Sequence, residues 1–403
     1  MKKIIVSVAV AAIALSTTAS ALEDIKVNGQ AKVWYETDNA NSSVNGEMFD
    51  NTQSSAEVVF KLGMTGKQGD VGFGTSIYQT STMGLEGTLV GATRTNTTNL
   101  QGDGEMFVGE AYITAPIAPK TVLKFGKQEL DTPLAFTERW NAVPNTFNAA
   151  VAINSSVDNV TLIGAYVGQD SSASWKVDGE VDQQYFGGAF ALAALYSADG
   201  VGANFWAYHI NNVGSTGLAW LTGGASGVSV DAAWVDAGMK VADINLKGYG
   251  AFVTHDGSGA KETTALAASA DMDVQGWNLF AAVSGVSTGD LPVANTATNF
   301  KKTKLPTAGV YTDGQYVGQP GATAIKIKAA GKVADTGVAL QVVNNEDRNN
   351  NDAKDTTEID LILSQKVGVV DLKGIIMHRM FADSATEDAA GGQHVRVIAS
   401  INF

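Results

Sequence analysis

Five charged side chains fall within one short, irregular stretch: Lys127, Glu129, Asp131, Glu138 and Arg139. Their spacing suits neither a metal site nor an acid–base pair, and the four histidines (His209, His255, His378 and His394) show no metal-ligand spacing either. Opposed charges held across a narrow aqueous gap do something else. They set up a transverse field that orients passing dipoles and filters solutes by charge. The stretch runs from Gln128 to Asn148, carries Pro133 and Pro144, and is too polar and irregular to be a strand. It follows a strand-like alternation in which Leu123 and Phe125 face one way and Lys124 and Gly126 the other. Strict alternation would turn Lys127 outward with Phe125. The expectation is therefore that the strand ends by Gly126, whose missing side chain leaves room for the charged loop. A loop lying outside as a lid is the competing reading.

The elements that would position such a loop are alternating strands. From Ile25 to Glu36 the pattern has perfect period two: Ile25, Val27, Gly29, Ala31, Val33 and Tyr35 on one face, Lys26, Asn28, Gln30, Lys32, Trp34 and Glu36 on the other. Ala56, Val58, Phe60, Leu62 and Met64 repeat it, with Glu57 and Lys61 opposite. Parsed this way, the chain gives eighteen strand candidates, or sixteen if the Gly/Ala-rich region from Gly214 to Met239 is read differently. Tight turns such as Lys67–Asp70 alternate with long polar loops, the asymmetry of a barrel with two unlike ends. The 382 residues left after a 21-residue leader (403 − 21) allow about 21 per strand and connection. The fold class read from this is all-β, a transmembrane antiparallel barrel. A soluble sandwich has the same alternation in any single strand.

Composition agrees. Hydrophobic residues make up 45% and charged residues 17%, below the usual quarter. No apolar run after the leader is long enough for a spanning helix, which needs about 20 residues. Lys2 and Lys3, an apolar run from Ile4 to Leu15 and the ending Ala19-Ser20-Ala21 read as a signal peptide cleaved after Ala21, leaving residues 22–403 as one barrel domain. Loss of Lys2 and Lys3 takes the formal charge from −14 to −16. A secreted chain without cysteine is not a disulfide scaffold.

The segments KFGKQELDTPL (Lys124–Leu134) and VPNTFNAA (Val143–Ala150) resemble the OprD-like outer-membrane porins, in particular their major-outer-membrane-porin branch. The resemblance covers roughly forty residues and implies that this stretch is the third extracellular loop, folded back to narrow the pore. It also implies a ladder of basic lumen residues that guides carboxylate-bearing solutes. The inward set here is Lys26, Lys32, Lys61, Lys124, Lys247, Lys326, Lys328, Lys373 and Arg396, with acids Glu36, Glu57, Asp231, Glu358, Asp360 and Asp371. Lysine nearly throughout is a departure, since only Arg396 has the planar fork suited to bidentate carboxylate contacts. Pairing of the lumen lysines with lumen acids is the alternative. The net acidity lies largely in loops and attracts cations, opposing the lumen lysines, so the sequence leaves ion selectivity open.

The last strand alternates Val395, Val397, Ala399, Ile401 and Phe403 against His394, Arg396, Ile398, Ser400 and Asn402. Its terminal Phe403 resembles the signal read by the barrel-assembly machinery. Tyr35, Phe60, Tyr112, Trp206, Trp234, Trp277 and Phe381 are candidates for aromatic girdles at the membrane interfaces. The loop from Gly289 to Gly321 carries Lys301, Lys302 and Lys304, which read as a solvated tip or a contact for external anions and lipopolysaccharide phosphates. Asn344–Asp355 is rich in Asp and Asn, as oxygen-ligated calcium sites are, but lacks the EF-hand spacing and glycine, so no cofactor is assigned. Gly285–Gly289 matches G-x-S-x-G without the following helix a nucleophile elbow needs. An acidic chain argues against nucleic-acid binding.

The reading is a Gram-negative outer-membrane porin, not an enzyme, passing ions and small hydrophilic solutes by diffusion, monomeric or homotrimeric. Its rivals are a substrate-specific channel for small carboxylate-bearing solutes and, in another class, a surface adhesion or structural barrel.

Overall fold

The structure, a computed structural model, describes residues 22–39, 47–51, 53–81, 106–171, 183–213, 228–298, 300–349, 355–381 and 392–403. The expected leader, most of the ambiguous Gly/Ala-rich stretch (214–227) and residues 350–354 of the Asp/Asn-rich loop lie outside them. Eighteen strands follow one another: β1 (Glu23–Asp38), β2 (Ser54–Gln68), β3 (Val71–Ser81), β4 (Met106–Ala118), β5 (Thr121–Gln128), β6 (Phe147–Val157), β7 (Val160–Asp170), β8 (Gln183–Ala198), β9 (Val201–Val213), β10 (Val228–Val241), β11 (Ile244–His255), β12 (Thr263–Val274), β13 (Trp277–Val286), β14 (Ala322–Val333), β15 (Thr336–Asp347), β16 (Thr356–Val367), β17 (Val370–Phe381) and β18 (Gln393–Asn402). Each pairs antiparallel with the next, and β18 returns to β1 in the register Gln30↔Asn402 to Asp38↔His394. The sheet is closed, so no strand edge carries unpaired backbone groups into lipid.

One end of the barrel is made of two-residue turns, at 69–70, 119–120, 158–159, 199–200, 242–243, 275–276, 334–335 and 368–369. Each contains a residue with positive φ. Asp199-Gly200 and Gln275-Gly276 have both residues there, as the type I′ turn that matches strand twist requires. The longer connections join the strands at the opposite end, and the even strand number brings both described termini to the turn end.

Alternation separates the two faces. Val27, Phe60, Ile113, Phe125, Leu266 and Ile327 are exposed on the outside, Leu266 by 74%. So much apolar surface suits lipid and would be a liability in water. Trp34, Glu36, Glu57, Glu358 and Arg396 are buried on the inside. The girdle candidates divide by the same rule. Tyr35, Phe60 and Trp277 lie in register with outward residues, Trp277 opposite the exposed Val274. Tyr112 pairs with Gly126 on the inner face, and Trp206, Trp234 and Phe381 are also inward. These four are lumen residues, not girdle residues, because the register sets their side opposite to the lipid face.

Candidate functional site

Two connections fold back inside the barrel and meet. The first, residues 129–146, joins β5 to β6. It turns back on itself through a bridge between Asp131 and Phe136, reinforced by Thr137 N–H donating to Leu130 O (2.8 Å). The turn at Pro133 is closed by Thr132, whose hydroxyl donates to Ala135 O (2.6 Å) and accepts from Ala135 N–H (3.2 Å). Leu134, Phe136, Glu138 and Asn145 are almost completely buried, so this loop is not an external lid. Further along, Ala142 and Val143 pack on Trp34, Val59 and Tyr78 of the wall, and Lys32 Nζ donates to Ala142 O (3.2 Å).

The second connection, residues 287–321 between β13 and β14, carries the single described 3-10 turn (Thr296–Thr298). Asn295 imitates a strand partner: Phe136 N–H donates to its Oδ1 (3.0 Å) and its Nδ2 donates to Phe136 O (2.9 Å). Thr296 N–H and hydroxyl both donate to Leu134 O (2.8 and 2.7 Å). Glu138 accepts from the Thr298 hydroxyl, from Asn295 Nδ2 (3.2 Å) and from Asn141 Nδ2 (3.2 Å). Burial pushes its carboxyl up, against those three donors. On its far side the 287–321 segment is tied to the wall. Tyr311 N–H donates to Glu358 (2.7 Å), Thr312 N–H donates to the same carboxylate, Val310 N–H donates to Asp360 (3.3 Å), and Lys326 Nζ donates to Ala308 O (2.6 Å). Arg379 stacks over the Tyr311 ring at 3.6 Å.

This overturns the reading of Lys301, Lys302 and Lys304 as an external tip. Lys302 is buried in an ion pair with Asp313 (2.6 Å), and burial lowers the Lys301 ammonium and raises the Asp313 carboxyl. Lys304 crosses to the first loop and pairs with Asp131 (2.8 Å). Loop length and polarity alone could not distinguish a segment folded inward from one in solvent. The available signal was its Thr/Asn content beside buried apolar residues such as Leu291, Val293 and Phe300.

The five constriction candidates separate. Arg139 Nε pairs with Glu129 (2.6 Å) and its Nη1 with Asp131 (3.6 Å), which continues to Lys304. The charges therefore form one chain, Glu129–Arg139–Asp131–Lys304, and are matched to one another instead of facing each other across a gap. Burial opposes ionisation of Asp131, but Lys304 and Arg139 outweigh it and hold the carboxyl below its ordinary value. Glu138 joins the two loops and is inaccessible. Lys127 does not belong to the group. β5 continues through Gln128, and Lys127 pairs with Ala111 and Asn148 on the outward face. Gly126 is needed for a different reason from the one expected. Its φ is +126°, and a Cβ there would stand 2.3 Å from Ala111 O, so it permits close approach of β4.

All twelve pore-lining candidates (Lys26, Lys32, Glu57, Lys61, Lys124, Lys247, Lys326, Lys328, Glu358, Asp360, Lys373 and Arg396) lie on inward registers. Asp231 does not: it stands between inward Val230 and Ala232 and meets the exposed His209 (2.7 Å). The acids are occupied. Glu36 takes Arg396, His394 (3.3 Å) and Trp34 Nε1 (2.7 Å); Asp236 takes Lys247 (2.8 Å), and Glu110 takes Lys61 (3.7 Å). Lys32, Lys124, Lys326, Lys328 and Lys373 have no carboxylate at ion-pair distance among the described residues. With Lys61 and Arg396, all but Lys124 stand on the run of neighbouring strands β14–β18, β1 and β2, making one arc of the wall basic. A cavity of about 240 Å³ opens between this arc and the loops, lined by Trp140, Lys302, Lys373 and Arg396 among others. Sequence reasoning missed the inward Glu110, Asp236 and Arg379, each on a polar face that alternation could have indicated, and set His394 beside Arg396 without assigning it a lumen role.

No protein-family profile and no curated protein matches the chain. Solved structures do. Acinetobacter baumannii OccAB1 superposes with a TM-score of 0.73 at 14% identity, covering 94% of this chain and 97% of that one. A BenF-like porin from Pseudomonas fluorescens Pf-5 gives 0.70 at 13%, covering 94% and 98%. Pseudomonas aeruginosa OccK2 (OpdF) in complex with glucuronate gives 0.68 at 13%, covering 94% and 98%. At such identity the likeness is one of fold: the chain shares the closed barrel of these structures over nearly its whole length.

Proposed function

We propose, from a barrel that shares its fold with the OprD-like porins, that this chain is an outer-membrane diffusion channel for ions and small hydrophilic solutes. Its lumen is narrowed by two joined loops, 129–146 and 287–321, and its fixed charge favours anions. The observation that carries the reading is the set of inward lysines left without carboxylate partners while every nearby acid is engaged. Charge near a narrow, low-dielectric passage acts strongly on permeant ions, whereas the acidic loops act through screened solvent over about 8–10 Å. The pairing of Glu129, Arg139, Asp131 and Lys304 leaves the loops themselves nearly neutral.

Single-channel recording of the detergent-extracted protein in a planar bilayer under a salt gradient tests this. Discrete open steps with a reversal potential of anion sign are expected, and Lys328→Gln with Lys373→Gln should move that potential toward cations. Cation selectivity in the unchanged protein would refute the charge assignment. Absence of conductance from a folded barrel would leave adhesion or a structural role as the function.

A second reading, a carboxylate-selective channel, is supported by the cavity in which Lys373 and Arg396 converge beside Trp140, and one structurally similar porin is described as a complex with glucuronate. Conductance that saturates with glucuronate at a concentration where chloride current stays linear would favour it. Secretion through the 1–21 leader, assembly through the strand ending at Phe403, contact with lipopolysaccharide and a monomeric or homotrimeric state belong to the same proposal. Native mass spectrometry checks the last and the mature N-terminus together.

A further inference from the structure

The lumen wall opposite the basic arc is apolar, which a water-filled passage does not call for. On β6 to β10 the inward positions are held by one continuous buried cluster that includes Phe147, Val151, Trp206 and Val230, with the partly buried Ala165 and Ala191 packed against it. Leu134 of the 129–146 loop covers part of it. Where the loop presents the short side chains of Thr132 and Ala135, a cavity of about 260 Å³ remains between loop and wall.

Apart from the Tyr208 hydroxyl, which is buried without a hydrogen-bond partner and could meet a single polar atom of a ligand, the polar groups at its rim are engaged. Gln128 Nε2 donates to Ala149 O (3.0 Å), Thr132 is occupied with Ala135, and Glu129 and Asp131 are held by Arg139 and Lys304. Lys124 lies over the Tyr112 ring at 3.8 Å. A water inside would find few of the two to four partners it needs, whereas an apolar cavity of roughly 150 Å³ already suffices for benzene. We propose that this cavity is a binding station for small uncharged ring compounds, aromatic or alicyclic, in which the ring leaves water to lie against Trp206, Tyr208 and Val151. The site is separate from the basic arc; Lys124, which lines it, is held over the Tyr112 ring, and burial of the ligand's ring, not a charge on it, carries the binding. The proposal goes beyond passive diffusion of hydrophilic solutes: the channel would retain compounds with an apolar body beside its constriction.

The probes are indole, which is neutral, and benzoate, which carries a similar ring and a charge. In bilayer recordings indole is expected to produce brief partial blockades whose frequency saturates with concentration. Filling the cavity with Ala165→Leu or Ala191→Leu should weaken this by about tenfold or more, the loss of roughly 1.4 kcal/mol. Lys373→Gln should leave indole blockade unchanged. Indole blockade that is unaltered in both leucine variants, or blockade by benzoate alone that disappears in Lys373→Gln, overturns the proposal. A chain that does not conduct is tested by fluorine NMR of 4-fluorophenol with the protein in lipid nanodiscs. Saturable line broadening lost in Ala191→Leu supports the site even if the channel reading fails, and no broadening refutes it. Ala165→Leu serves where Ala191→Leu prevents assembly.

Discussion

Glu138 is a fully buried carboxyl with no cation at ion-pair distance among the described residues, held by two amides and a hydroxyl at the junction of two loops. Its folded value is raised above the ordinary 4.5 by burial. The sign follows: the contribution to loop docking is complete below pH 4.5 and is lost as pH rises through the folded value. Hydrogen-exchange protection of the Thr296 amide, bonded to Leu134 O, should be larger at acid pH than at pH 8, and Glu138→Gln should flatten that dependence. An unchanged profile in the variant would rule out Glu138 as the titrating group. Asp131 acts in the opposite sense. Its depressed value means that the pairing with Lys304 contributes above 3.8 and is lost as pH falls through the folded value. The pair is half-exposed, so Lys304→Gln should cost no more than about 1 kcal/mol in a denaturant titration.

Among the elements, Asn295 makes the most side-chain bonds from the 287–321 segment to the first loop, to both backbone groups of Phe136 and to Glu138. Asn295→Ala would leave Phe136 N–H buried without an acceptor, a loss of about 1–3 kcal/mol. The expected result is a lower midpoint of heat-modifiable gel migration and noisier open-channel current, since the barrel strands are untouched and only the plug loosens. Wild-type noise would mean that the loops are held mainly by Glu358 and Asp360 on the wall. Between β4 and β5, Gly126→Ala meets both a positive φ and the Ala111 carbonyl. Its cost is about 1 kcal/mol or more, read as a lower unfolding midpoint with conductance retained.

At the scale of the molecule, the outer face depends on lipid for its stability. Ile327 stands mid-strand and is exposed by 57% outside the barrel. Ile327→Arg should therefore cost about 2–4 kcal/mol in refolding titrations into bilayers. The equivalent change one residue on, Lys328→Arg, faces the lumen and should be close to neutral in stability. Equal costs at the two positions would contradict the assignment of faces. Around the lumen the charge is uneven: a basic arc from β14 through β2 stands opposite the apolar arc of β6 to β10.

The barrel was legible in the sequence because period-two alternation is local. A residue's side is fixed by its parity within its strand, and Val27 against Lys26, or Ile327 against Lys326, needs no distant partner to be read. Strand number and the inward lysines follow from the same rule. Its limit shows at Lys127, where assuming an early strand end moved one residue to the wrong face, and at Trp206 and Trp234, where aromatic type was weighed above parity. Only the tertiary structure decided which lysines keep their charge free, because pairing joins residues such as Glu36 and Arg396 across 360 positions of chain. It also decided that 287–321 turns inward, since the docking partners of Asn295 and Lys304 lie 159 and 173 residues earlier, at Phe136 and Asp131. The division of the lumen into basic and apolar arcs was likewise beyond the sequence: it exists only once β18 meets β1 and closes the wall.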